Sequence, residues 1–561
     1  MTLDISILEH ANELMCTGNL TQAEEIASEY LRFNPTHYAP WYLLGLIRYH
    51  QTRYEDAQDN FLHAIQLAPN HAELHNCLAV TYAAQSQYSN AVQHYLIALK
   101  HAPNHAPYLI NYARTQCDQN KMHSALEILA SLPREMSENP ETLSLQAEIA
   151  LKEHRLEPAH ELITAALVKQ PNHFHSHYIA GNIEYNRFQW KHAVNHFNVA
   201  LEQQPTHITS IINKAHALFA LNEDDKAISL LTSALRTQPA SAQLTYALAL
   251  IELASGNYAS GWRHFLARPG RARHKQLYQG APLPSNLKNK NFLVLGDEGV
   301  GDELFFLRYI QEIQQRGGNI RYITSPRLSM LLADFYKNNQ LNIVHSDVVF
   351  DYIIAGGDLP YLLGDSEKRP RPDSIKIPAN SIAVEKVKKK LESFGPPPYI
   401  GITWRAGPYL SQPTSSTNAL YKKQISLETL AEAIASVRAT FVIIQRSVTP
   451  FELSYLEKAI FHPWVNYSDA SDNLEEIHGL LSILDQYISV SNTNIHLRES
   501  LGLNSIVLLN HPAEWRWGKS ISSAWFPKST LLHQQSDGDW GPSMTHLSHI
   551  LETTYEQTAN K

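Results

Sequence analysis

The residues best suited to chemistry lie after residue 290. Phe292-Leu-Val-Leu295 is a short apolar run ending in Gly296-Asp-Glu-Gly-Val-Gly301-Asp302, and the amphipathic stretch Glu303–Gln315 follows. That order reads as strand, glycine-rich turn, helix, with Gly299 and Gly301 as loop glycines. Asp302 stands at the helix start, where a carboxylate either caps the helix or faces a cleft. Ser491-Asn492-Thr493-Asn494 precedes a second helix, and backbone N–H groups there, with the helix dipole, suit a diphosphate. Arg405, just past the run Tyr399–Trp404, offers a cation at the carboxyl end of a strand. Lys422 and Lys423 are adjacent basic residues ahead of a helix at Leu427, and both also read as surface charges. Trp515, Trp517 and Trp525 either stack on a base or sugar or form a buried aromatic cluster. Asp537-Gly-Asp539 has the lettering of a metal-binding D-x-D without strand context, so it reads as a loop, and no metal is expected.

Such groups need a scaffold that brings turns together. After Glu303–Gln315 the chain reads as a strand at Ile320–Thr324, a helix at Leu328–Tyr336, and strands at Ile343–His345 and Tyr352–Ala355. A Pro- and Lys-rich bridge, Asp365–Pro398, leads to a second series. Its strands are expected at Tyr399–Trp404, Thr440–Gln445, Gln486–Ser489 and Ser505–Asn510, and its helices at Leu427–Ser436, Leu474–Ser482 and Asn494–Leu501. Alternation of this kind predicts two parallel α/β domains enclosing a cleft at the carboxyl ends of their strands.

The first half is different in kind. Pro35, Pro69 and Pro103 are 34 residues apart, as are Pro171, Pro205 and Pro239, and Ser137 keeps the phase where a proline is missing. Ala57, Ala91, Ala125, Ala159, Ala193 and Ala227 recur at one offset, with Phe61, Tyr95, Leu129, Ile163, Phe197 and Leu231 four residues on. Trp41, Leu44 and Gly45 follow W-x2-L-G order. A 34-residue beat of small and bulky residues closed by proline resembles the tetratricopeptide repeat, a helix pair whose neighbours stack into a superhelix with a concave binding surface. About eight units are expected over residues 1–268. A linker at 269–290, α/β domains at 291–395 and 396–545, and a tail at 546–561 complete the division.

Composition sets outer limits. A net charge of −8 over 561 residues argues against general nucleic-acid binding. No stretch approaches 18 uncharged apolar residues, so no transmembrane segment is expected, and Met-Thr-Leu-Asp opens no secretory signal. Cys16, Cys77 and Cys117 lack metal-ligand spacing and read as small apolar residues in a reducing compartment, the cytoplasm by default. His37, His71, His105, His173 and His207 each stand two residues after a repeat-closing proline. Turn chemistry explains that placement more simply than a metal ladder.

The segment Gly296–Tyr309, GDEGVGDELFFLRY, resembles the G-E-x-G-x-G-D motif of bacterial tetratricopeptide-linked glycosyltransferases, which are similar to the lipopolysaccharide heptosyltransferases. Ile400-GITWRAGP408, Ser489-VSNTNIHLRESLG502, Glu514-WRWG518, Trp525-Phe-Pro527 and the last repeat, Gly256-NYASGWRHFLAR268, match in order. The resemblance implies a multidomain α plus α/β protein: a tetratricopeptide superhelix followed by a GT-B pair of Rossmann-like domains. It implies a cytoplasmic, metal-independent glycosyltransferase that needs no cofactor beyond its nucleotide-sugar substrate. Asp302 falls at the position the resemblance gives to the base. Arg405, Lys423, Thr493, Asn494 and His496 fall at donor-binding positions. Asn492 replaces the aspartate of the family's D-T-x-x-x-H segment, which counts against ADP-heptose. It leaves room for an acidic sugar carried on CMP or for a neutral hexosamine donor. A repeat array suits a protein acceptor, such as flagellin or another surface protein. A lipopolysaccharide or capsule precursor is the alternative acceptor, and a non-catalytic scaffold the alternative role. Residues 1–238 are expected to be dispensable for nucleotide binding.

Overall fold

A computed structural model describes residues 6–274, 276–333, 335, 349–407 and 423–555. The expected strand Ile343–His345 lies outside the described residues, as do Tyr336, Pro408, Lys422 and residues 556–561. The chain divides into two compact units between Ile183 and Glu184, inside the helix Phe174–Asn186.

The first unit is a run of helices beginning with Ser6–Cys16 and Leu20–Phe33, two per 34 residues. The alanines of the repeat beat have no exposed surface at Ala57, Ala91, Ala125 and Ala159, and Phe61, Tyr95, Leu129 and Ile163 are buried beside them. Gly45 is required by that approach: a Cβ there would lie 2.5 Å from the Phe61 ring. Ladder contacts join equivalent helices, as where the Tyr108 hydroxyl donates to Glu73 (2.8 Å) and Asn111 to Asn76 (3.1 Å). Each pair turns through one left-handed residue, and these too are 34 apart: Gly18, Thr52, Ser86, Asn120 and His154 here, then Phe188, Asn222 and Gly256 in the second unit. Only the first and last are glycine, so sequence reading missed the position.

Three of the five periodic histidines cap the helix that follows, whereas His71 and His105 hold the cap position without a side-chain cap bond. Nδ1 of His37 accepts from the Ala39 N–H (3.2 Å), and Nδ1 of His173 and His207 from the N–H groups of Ser176 and Ser210 (3.3 Å each). These are N-cap contacts. Six residues after the proline, the ring nitrogens of Trp41, His75 and His177 sit 2.7–3.0 Å from the carbonyls of Pro35, Pro69 and Pro171. Cys117 is buried, but Cys16 is exposed, which the apolar reading of the cysteines did not anticipate.

The second unit holds the remaining repeat helices, through Tyr258–Phe265, and two parallel sheets. The smaller has order β2-β1-β3, with β1 Asn291–Leu295, β2 Asn319–Ile323 and β3 Tyr352–Ala355. The larger has order β6-β5-β4-β7-β8-β9: β4 Tyr399–Thr403, β5 Thr440–Ile443, β6 Trp464–Asn466, β7 Gln486–Val490, β8 Ile506–Leu509 and β9 Thr530–His533. β4, β5, β7 and β8 are apolar runs buried almost throughout, as parallel strands covered on both faces must be. Between Pro326 and Leu332 the chain forms turns, and of the expected helix Leu328–Tyr336 only Ala333 and Phe335 are helical among the described residues.

The last repeats are built into this unit. Arg268, with no exposed surface, donates from Nε to Asp297 (2.8 Å) after β1 and lies 2.7 Å from Asp358 after β3. Arg271 also reaches Asp358 (3.0 Å), and the Trp262 indole donates to Asp365 (3.1 Å). Trp515, Trp517 and Trp525 are buried, Trp515 and Trp525 meeting Trp262 edge to face. Farther back, Trp190 donates to the Ser536 carbonyl (2.6 Å), a His511 ring nitrogen sits 2.7 Å from the Ala220 carbonyl, and Lys519 pairs with Asp224. The expectation that residues 1–238 are separable is therefore corrected, because three anchors of the α/β half lie before residue 238.

Candidate functional site

Parallel strands direct the turns after their carboxyl ends to one side, and a cleft of about 320 Å³ lies there. The turns after β1, β4, β5, β7 and β8 all reach it. Gly299, Gly301, Asp302, Arg405, Lys423, Asn492, Thr493, Asn494 and His496 all line it, whereas Trp515, Trp517 and Trp525 do not.

Several act differently from expectation. Asp302 is in the first turn of the helix Val300–Phe306, and its carboxylate accepts from the Gly299 N–H (3.3 Å) while pairing with Arg516. It is thus cap and cleft carboxylate together, and its side chain is 34% exposed. Gly301 lies on that helix, not in a loop. A Cβ there would sit 3.1 Å from His496 and 3.4 Å from Thr493, so the glycine admits the facing helix Thr493–Ser500. The expected continuous helix to Gln315 is interrupted by a tight turn at Leu307–Tyr309.

Asn492 is the N-cap of the helix Thr493–Ser500. Its Oδ1 accepts from the N–H groups of Asn494 (3.0 Å) and Ile495 (3.4 Å), and its Nδ2 donates to Ser489 (2.8 Å). Both polar groups are thus used within the fold, and two N–H groups expected to meet a diphosphate are already engaged. Asn494 donates to the Tyr487 hydroxyl (3.1 Å).

The expected cations carry partners. Arg405 is buried, donates to both oxygens of Glu452, and gives a further bond to the Ser447 carbonyl (2.8 Å). Burial raises the Glu452 pKa, but hydrogen bonds from Arg405, Thr449 and Trp404 outweigh it and hold the group below its usual value. Lys423 pairs with Glu514 at 2.5 Å. Burial opposes ionisation of Glu514, yet Lys423, Arg516 and the Ser491 hydroxyl bring its pKa to about 2. Charge on Arg405 and Lys423 is therefore not surplus, which removes support for an acidic sugar held by them.

His496 is buried against Phe305 and Phe526. Burial first, then the charges of Arg516 and Arg308, pushes its pKa well below the ordinary value, so the ring is neutral. Its Nδ1 has no hydrogen-bond partner among the described residues. A buried ring nitrogen at a cleft wall is a natural contact for a ligand hydroxyl or amide. Sequence reading missed Arg516, Glu514, Glu452, Arg327 and Arg446. The tryptophans of Glu514-Trp-Arg-Trp517 drew attention, whereas Glu514 before them and Arg516 between them reach the cleft. Asp537-Gly-Asp539 is a loop in which Asp539 caps the Gly541 N–H (2.8 Å).

Sequence models of the tetratricopeptide repeat match residues 38–71, 60–93, 82–149 and 212–261. The chain carries tetratricopeptide repeats. Such arrays present extended surfaces to protein partners, so the repeats make this a protein-interaction or scaffolding chain. Protein FlbA of Caulobacter vibrioides is 23% identical over 440 residues, covering 72% of this chain and 71% of FlbA. That span exceeds the repeats, so the likeness extends into the α/β half. Among solved structures, the APC/C hetero-tetramer Cut9–Hcn1 gives a TM-score of 0.38 at 16% identity, over 46% of this chain and about half (52%) of that one. A thermophilic TPR protein of Thermus thermophilus gives 0.28 at 19% identity, over 30% and 91%. Pseudomonas aeruginosa pilF gives 0.28 at 18% identity, over 37% and 94%. No described helix is long and apolar enough to cross a membrane.

Proposed function

We propose that the α/β half is a glycosyltransferase of GT-B type, using a nucleotide-sugar donor, and that the repeats recruit a protein acceptor. The observation that carries this reading is the convergence of Asp302, Lys423, His496 and the helix start at Asn492–Asn494 on one cleft at the carboxyl ends of two parallel sheets. In that reading the acceptor hydroxyl gives its proton to Asp302, its oxygen attacks the anomeric carbon, and the nucleotide leaves with the bond electrons. Arg516 holds the Asp302 carboxylate at the cleft wall. His496, neutral and unpartnered at Nδ1, fits a donor hydroxyl or amide. Asn492 acts as a cap, so the donor sugar is chosen by the walls around it.

A second reading, a repeat scaffold whose α/β half has lost chemistry, is favoured by the internal pairing of Arg405 and Lys423. Thermal stabilisation by nucleotides and nucleotide sugars separates the two. A ligand that binds the folded state raises the melting temperature by mass action. Stabilisation by a nucleotide sugar supports the enzyme. Silence across all nucleotides supports the scaffold.

A further inference from the structure

The cleft's charges are unevenly compensated. Inside, each cation has a buried or half-buried carboxylate of its own: Arg405 with Glu452, Lys423 with Glu514, and Arg516 with Asp302. Withdrawing one of these cations toward a ligand strands a carboxylate in the interior, which is costly. Among the described residues, Arg327 and Arg446, also on the cleft wall, instead share a single acceptor, Oδ1 of Asp472, at 3.3 and 3.1 Å. One carboxylate leaves these two guanidinium groups with a surplus positive charge. All three side chains are open to solvent, Arg327 46%, Arg446 47% and Asp472 76% exposed. Exposed ion pairs are weak and easily exchanged.

The arginines come from different sheets. Arg327 follows β2 and Arg446 follows β5, each past the carboxyl end of its strand. We infer that Arg327 and Arg446 form a two-walled clamp for a diphosphate, whose place Asp472 occupies when the cleft is empty. A diphosphate carries more charge and more oxygens than the carboxylate it displaces, and guanidinium forks match phosphate oxygens in pairs. The clamp rests on the nucleotide reading of the cleft and supplies its missing cationic residues, with Arg405 and Lys423 left to their internal partners.

The test titrates the full chain with inorganic pyrophosphate, followed by calorimetry and melting temperature. Wild type binds; R327Q and R446Q each weaken binding about 5- to 20-fold; D472N, freed of its competing carboxylate, binds about 3- to 10-fold more tightly. The three side chains are exposed, so the variants keep the fold, which an unchanged melting temperature without ligand verifies. Wild type failing to bind pyrophosphate overturns the clamp, as does unchanged affinity in R327Q and R446Q, or weaker binding by D472N. Malonate binding as tightly as pyrophosphate overturns the assignment to diphosphate. A nucleotide sugar turned over with the same KM in R446Q sinks the clamp and leaves the glycosyltransferase reading standing. Pyrophosphate binding lost in R446Q, with no nucleotide sugar turned over by wild type, does the reverse.

Discussion

The two units of this chain store their order differently. Residues 1–183 carry 19 Asp and Glu against 10 Lys and Arg, a net charge of −9, and their contacts join positions about 34 apart, as in Glu73–Tyr108. Residues 184–561 carry 35 acids and 36 bases, a net charge of +1, and their decisive contacts join segments far apart in sequence, such as Arg516 with Asp302. The whole acidity of the chain therefore belongs to the first unit. A periodic unit tolerates the loss of a local contact, because each neighbour repeats it. A unit built on single long-range partners does not.

Truncation tests this contrast most severely. Deleting residues 1–170 should leave a second unit that folds and binds nucleotide but no longer modifies a protein acceptor. Deleting residues 1–238 also removes Trp190, Ala220 and Asp224, and should cost the fold, read as loss of a cooperative melt. Equal behaviour of the two truncations breaks the comparison. Arg268→Leu comes next: it leaves Asp297 buried without its cation, and breaking a buried pair costs about 3–5 kcal/mol. Chemical denaturation should show that loss in the second unit's transition while the first unit's stays put.

Buried histidines give the next effect. His216 and His478 are fully buried, and burial lowers both pKa values to about 4. The unfolded chain then binds more protons than the folded one between about 6.5 and 4, so stability is full above that window and falls as pH drops through it. The loss approaches about 3 kcal/mol per histidine, at about 1.4 kcal/mol per pKa unit. His478→Gln should flatten part of that slope, and an unaltered slope rules His478 out. Asp302→Asn keeps the cap but accepts no proton, so transfer should fall about 100-fold or more with nucleotide affinity retained. A variant keeping a tenth of wild-type turnover shows Asp302 to be a cap alone. The smallest effect is Thr52→Gly. Relief of a left-handed β-branched residue, less the added freedom of the unfolded chain, should stabilise the first unit by about 0.5 kcal/mol.

The same contrast explains what was legible in the sequence. The alanine and proline beat is a local pattern, and the helices that follow it run where it predicts. The inner strands showed as apolar runs because parallel strands are buried on both faces, whereas the edge strands β6 and β9 of the larger sheet were missed. The cleft residues were findable because turns at strand ends hold glycines and caps, and Asp302, Asn492 and Lys423 sit in such turns or beside them. Their partners were not, because pairings such as Glu452 with Arg405 or Glu514 with Lys423 are fixed only by how the sheets fold together. Thr52 and Phe188 stayed hidden for a different reason: nothing in their side chains announces a left-handed backbone that the helix pair imposes.

Those turns have a consequence for how the chain can change over generations. With one left-handed residue every 34 positions, a tandem duplication or loss of 34 residues keeps the reading in phase wherever its ends fall within the first unit. Every helix then meets a neighbour of the kind it had before. The length of the partner-facing surface is free to grow or shrink in whole steps by unequal recombination. The α/β half, where each partner occurs once, has no such freedom and must change one residue at a time.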